Sequence, residues 1–172
     1  MSGSRDPDKN FVVQQGVPIT DIPGNCSVLT GAMLFQPRLV GLWILVGAVL
    51  QSGYVFLALA LVLWWSALVP AWNPFELVYR HLPPLGRTTR PRLGIAAAPR
   101  RFAQGMAGAF AASIGLCLLG GARVAALVLG IVFALAVAAL LFGRLCLGSF
   151  VYHLLRGRAG FALRTLPWGR GL

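Results

Sequence analysis

Apolar and polar positions alternate in long blocks along this chain. Residues 122–142 carry no charge after Arg123 until Arg144. About 20 apolar residues at 1.5 Å rise each cross a bilayer core of ~30 Å, and in lipid such a run must be helical to satisfy its own hydrogen bonds. Three further apolar runs lie near 38–51, 54–70 and 101–119. Gln51-Ser52-Gly53 separates the first two, and Gly120-Gly121 separates the last pair. Turns this short join antiparallel neighbours. The pattern predicts an all-α membrane protein with four transmembrane helices as two antiparallel hairpins. The last helix is expected to extend through Arg144 to about residue 155.

The remaining segments are read by their punctuation. Residues 1–24 form a polar N-terminal arm with Pro7, Pro18 and Pro23, expected to be irregular and lacking the apolar core of a signal peptide. Asn25 is placed to cap a short helix near 26–36 that ends at Pro37, interfacial or partly inserted, unless the helix continues through a kink. Asn73-Pro74-Phe75-Glu76 reads as a helix start, with Asn as cap, Pro in the first turn and Glu at the third position. That helix, near 74–82, is expected to lie on the membrane surface and stop at Pro83-Pro84. Residues 83–101 read as a Pro- and Arg-rich loop, 25–156 as the membrane domain, and 157–172 as a basic tail. Trp64, Trp65, Trp72 and Tyr54 sit at run ends, as an aromatic belt does.

Composition supports the solvent assignment. Hydrophobic residues make up 58% of the 172, charged residues only 11%, and mean hydropathy is +0.77. Soluble domains carry roughly 25% charged residues. Net charge is +11. In this apolar context the arginines are topology signals and contacts to anionic lipid, and no nucleic-acid surface is expected. They cluster in the arm, the central loop and the tail, which puts both termini in the cytoplasm under the positive-inside rule.

Small residues recur every four positions in the last two spans: Ala103, Ala107, Ala111 and Gly115, then Ala126, Gly130, Ala134 and Ala138. Such stripes let helix backbones approach closely, and these two are expected to face each other. A stripe serving a partner subunit is the second reading. Cys26, Cys117 and Cys146 are too scattered for a disulfide framework or zinc site. His81 and His153 are the two histidines; His153, near a helix end, is a weak cofactor-binding candidate. Glu76 is the one acid after Asp21, and its cap position gives it a structural role. No metal site, catalytic residue or cofactor is expected.

Asn73-Pro74-Phe75 with Tyr79-Arg80, then Arg92-Leu93-Gly94, Arg101-Phe102-Ala103-Gln104, and Cys146-Leu147-Gly148 followed by Tyr152 occur in that order. This series resembles the domain of unknown function 4395 family of small bacterial membrane proteins. The resemblance implies four membrane helices, no established activity, and a last span ending in Cys-x-Gly-Cys. Here the second thiol position is Ser149, so Cys146, Gly148 and Ser149 remain as weak motif candidates. The favoured function is a non-enzymatic accessory subunit of the bacterial inner membrane. It would pack against a larger complex, respiratory or photosynthetic, with lipids as further partners. Membrane thiol or sulfur redox chemistry and small-molecule transport are the alternatives.

Overall fold

The computed structural model describes residues 6–18, 20, 26–81 and 95–169, and every regular element among them is helical. In chain order these are α1 (Pro7–Gln14), α2 (Cys26–Met33), α3 (Phe35–Leu50), α4 (Gly53–Leu68), α5 (Pro74–His81), α6 (Ala98–Leu119), α7 (Arg123–Gly143), α8 (Leu147–Leu155) and α9 (Ala159–Arg164). A single 3₁₀ turn, Pro70–Trp72, links α4 to α5. The proposed cap Asn25, the motif Arg92-Leu93-Gly94 and the stop at Pro83-Pro84 lie outside the described residues.

Three stretches are long and apolar enough to cross a membrane: Cys26–Leu50, Ala98–Leu119 and Arg123–Gly143. Gly53–Leu68 is a shorter apolar helix. Pro37 does not end the first of these. It sits in the first turn of α3, where its missing N–H is not needed, and the chain passes Leu34 with Leu34 N bonded to Thr30 O at 2.9 Å and Arg38 N to Leu34 O at 3.1 Å. The helix near 26–36 is therefore a short segment running almost directly into α3, not one halted by proline.

The arm is not irregular. Asp6 Oδ1 accepts from the backbone N–H groups of Asp8 and Lys9 at 3.0 and 3.2 Å, and Pro7 takes the first position. This N-terminal capping starts α1. α1 buries Phe11 and Val12 with Leu29, Met33, Leu34 and Cys146 in a cluster of its own.

The main core joins α3, α4, α6 and α7 through Ile44, Phe56, Leu59, Leu63, Ile114 and Phe133. α6 packs most extensively on α4. Here the expected facing of the two small stripes is corrected. A side chain on Gly115 would meet the Gly53 carbonyl at 2.8 Å, so the close backbone approach is between α6 and α4. Gly130 has no atom within 4 Å of where a side chain would begin, and Ala134 is exposed. α7 instead buries Ala126, Phe133 and Val137, against α3 as well as α6.

α7 also stops short of the expected end at 155. Arg144 adopts a left-handed backbone (φ 55°) that terminates it at Gly143, and Cys146 opens the separate helix α8. The chain turns there and lays α8 across α6.

Candidate functional site

The bundle ends differ in chemistry. Among the described residues, one holds the turns at 51–52 and 120–122. The other gathers α1, α5, the start of α6, α8 and α9, and there the core turns polar. Gln36 Oε1 accepts from Gln104 Nε2 at 2.9 Å and from Arg100 Nη2 at 3.3 Å. Arg100 Nη1 stands 3.3 Å from Glu76 Oε1, an ion pair with both side chains nine-tenths buried. Three helices, α3, α5 and α6, thus meet through one guanidinium. Glu76 follows a helix cap as expected, with Asn73 Oδ1 accepting from Phe75 N at 3.0 Å. Its carboxylate is turned into the bundle toward Arg100. Burial raises the Glu76 pKa above the usual carboxylate range, against the opposing pull of Arg100 and Arg80.

A second polar set lies beneath α1. Gln14 Oε1 accepts from Cys146 N at 3.2 Å, and the Gln14 carbonyl meets His153 Nε2 at 3.1 Å, so that nitrogen carries the proton. His153 is buried and packs on Phe161 with ring centroids 4.6 Å apart. Its other ring nitrogen, Nδ1, is buried without a hydrogen-bond partner. Arg144 donates to Leu141 O at 2.6 Å and to Asp8 Oδ1 at 3.0 Å. The first contact satisfies a carbonyl at the α7 C-terminus, as a cation there should. The second ties α1 to the same corner.

The motif residues 146–149 have distinct places. Cys146 is buried at the N-cap of α8 and is a free thiol. A side chain on Gly148 would lie 2.6 Å from Ala103 Cβ and 2.7 Å from its Cα, so only glycine lets α8 seat on α6. Ala103 therefore serves helix packing, with α8 as its partner. Ser149 is fully buried at the third position of α8. Cys117 lies in the main core near the far end of α6, separated from Cys146 by the rise of α7, about 30 Å at 1.5 Å per residue. His81 is exposed at the end of α5. Among the described residues, no three His, Cys, Asp or Glu side chains gather as a metal site.

A family model described as a domain of unknown function (DUF4395) matches residues 31–157. The chain belongs to this family. No curated protein and no solved structure matches it. In this DUF4395 member the polar centre was only partly visible in the sequence. Gln104 lies in a motif and Arg100 in an arginine-rich segment, while nothing local to Gln14 or Gln36 names the polar partner of either. The signal was present: Arg100 and Gln104 are four apart and share a helix face, and Gln36 interrupts an apolar run.

Proposed function

We propose that this DUF4395 protein is a non-enzymatic integral membrane subunit that packs against a larger membrane complex. α7 carries the proposal. It is the most apolar candidate span, with mean hydropathy 3.0 and only 17% of its best window buried within the chain. Val124, Leu127, Ile131 and Leu135 all face outward. Between them Gly130 and Ala134 line an open groove against α3, with a volume of about 460 Å³. Small residues unused inside the bundle give a helix from another subunit room for close approach.

In this reading α4 is the fourth span, joined to α3 by one short turn as α6 is to α7, and the bilayer thins around it because it is the shortest. Lys9, Arg80, Arg101, Arg144, Arg156, Arg158 and Arg164 share one end of the bundle, while Arg123 stands at the other. That bias supports cytoplasmic termini in a bacterial inner membrane, with the arginines against anionic lipid. Thiol redox chemistry and transport draw no comparable support, since position 149 holds serine and Cys117 lies far from Cys146.

Extraction in mild detergent followed by native mass spectrometry tests the proposal. A defined assembly should co-purify with the wild-type chain and be lost on Gly130→Leu. A stable lone monomer carrying lipid alone, from wild-type membranes, overturns it.

A further inference from the structure

A groove of about 440 Å³ runs along the seam of α3, α4 and α5. Leu42, Trp43 and Val46 of α3, Val62 of α4, and Phe75 and Val78 of α5 line it. The wall carries no charge, and the one side-chain donor in it is spent: Trp43 Nε1 donates to the Val55 carbonyl at 3.1 Å. Leu42, Val46 and Val78 are 58%, 44% and 49% exposed, so the groove opens outward. It shares no lining residue with the groove beside α7. At its basic end Phe35 meets Tyr79, ring centroids 5.2 Å apart. Arg38 follows Phe35 on α3 and His81 follows Tyr79 on α5, each within one turn of that contact and each exposed. Arg38 also stands one turn before Leu42, and His81 nearly one turn after Val78, so each flanks the groove wall.

Charge is unbalanced at this end. The chain has 15 Lys and Arg against 4 Asp and Glu. Asp8 pairs with Arg144, Glu76 pairs with Arg100, and Asp6 is engaged by the first N–H groups of α1. Asp21 lies outside the described residues. Among the described residues Arg38 has no ion-pair partner.

We propose that this groove holds one anionic phospholipid, with an acyl chain along Leu42, Trp43 and Val46 and the phosphate on Arg38. The proposal rests on the membrane placement above, but not on the partner subunit. A guanidinium meets phosphate oxygens with paired N–H donors, and the His81 imidazole adds one more. From Leu39 to Val46 α3 rises about 10 Å. That is about two-thirds of the ~15 Å one leaflet contributes to a ~30 Å core, so a lipid anchored at Arg38 has its upper chain in the groove. A second helix fits less well. Close helix approach uses Gly, Ala, Ser or Thr, and this wall has none. A zwitterionic lipid fits less well too, because its ammonium would stand beside Arg38.

Native mass spectrometry of the full chain released from nanodiscs tests this. The discs hold equal phosphatidylglycerol and phosphatidylethanolamine with the same acyl chains. As collision energy rises, the last lipid retained should be phosphatidylglycerol, favoured about tenfold, as expected for one charge-assisted contact. In Arg38→Gln that preference should fall to that of the loosely held lipids. Val78→Phe, which fills the groove and leaves Arg38 in place, should lose the tightly held lipid altogether. Arg156→Gln, on exposed α8, should keep it. Equal retention of the two lipids by the wild type overturns the proposal. So does a tightly held lipid in folded Val78→Phe, or a loss in Arg156→Gln as large as in Arg38→Gln. Carbonate washing of the source membranes separates the two readings. A chain that stays in the pellet but shows no selective lipid sinks this site alone, whereas a chain released by the wash overturns the membrane placement as well.

Discussion

The backbone N–H of Cys146 donates to the side-chain oxygen of Gln14 at 3.2 Å, across 132 residues of sequence. It is an N-terminal N–H of α8 that finds no acceptor in its own helix. Gln14→Leu keeps the volume near α1 but strips this acceptor. The expected cost is about 1–3 kcal/mol, the price of a buried donor left without a partner. Thermal unfolding in detergent measures it, and amide exchange across α1 should accelerate while exchange in α4 and α6 does not.

Gly148 and Ala103 form the tightest contact between α8 and α6. Gly148→Val places branched carbon where Ala103 already stands, and overpacking of this kind costs about 1–3 kcal/mol. A compensating Ala103→Gly should restore part of the loss. A double-mutant cycle on unfolding midpoints checks this, and strict additivity would show that the two positions do not touch.

Arg144 holds a left-handed conformation that a side chain disfavours by about 1–2 kcal/mol. Arg144→Ala and Arg144→Gly both delete the contacts to Asp8 and Leu141, but only glycine removes the backbone cost. Both variants should be less stable than the wild type if those contacts outweigh that cost. Arg144→Gly should be the more stable of the two by about 1 kcal/mol.

Glu76 gives the chain a definite pH response. Its pKa rises on folding, chiefly through burial, so the folded state favours the protonated carboxyl more than the unfolded state does. Its contribution is fully present below the ordinary value of 4.5 and is lost as pH climbs through the raised folded value. Relative to Glu76→Gln, wild-type protein should therefore lose stability with rising pH across that window. Unfolding midpoints of the two proteins at matched pH values test the sign, which reverses if Arg100 dominates over burial.

The apolar runs made much of the bundle legible, because a bilayer-length helix needs only composition and period. The cap at Asn73 was legible too, since it depends on two neighbouring residues. The helix of the arm was not, although Asp6-Pro7 is a cap followed by a first-turn proline; its polar character hid a face made by Phe11 and Val12. The break after Gly143 was invisible for a different reason. No glycine or proline marks it at 144, and arginine takes the left-handed turn because Asp8 and Leu141 hold its side chain. The pairing of α6 with α4 was equally hidden. Small stripes on both α6 and α7 state that close approach is allowed without naming the partner, and Gly53 decided it from the start of α4. The polar centre needed three dimensions, since Gln36, Glu76 and Arg100 are distant in sequence.

α1 rests on contacts supplied from more than 130 residues further along the chain: Asp8 on Arg144, Gln14 on Cys146 and His153, and Asn10 on the Leu166 carbonyl at 3.1 Å. Insertion of the apolar helices can proceed without it, but the docking of α1 waits until α8 and α9 have been made. A chain shortened before α8 would leave α1 undocked, a ready substrate for quality-control proteases even when its apolar helices are correctly placed.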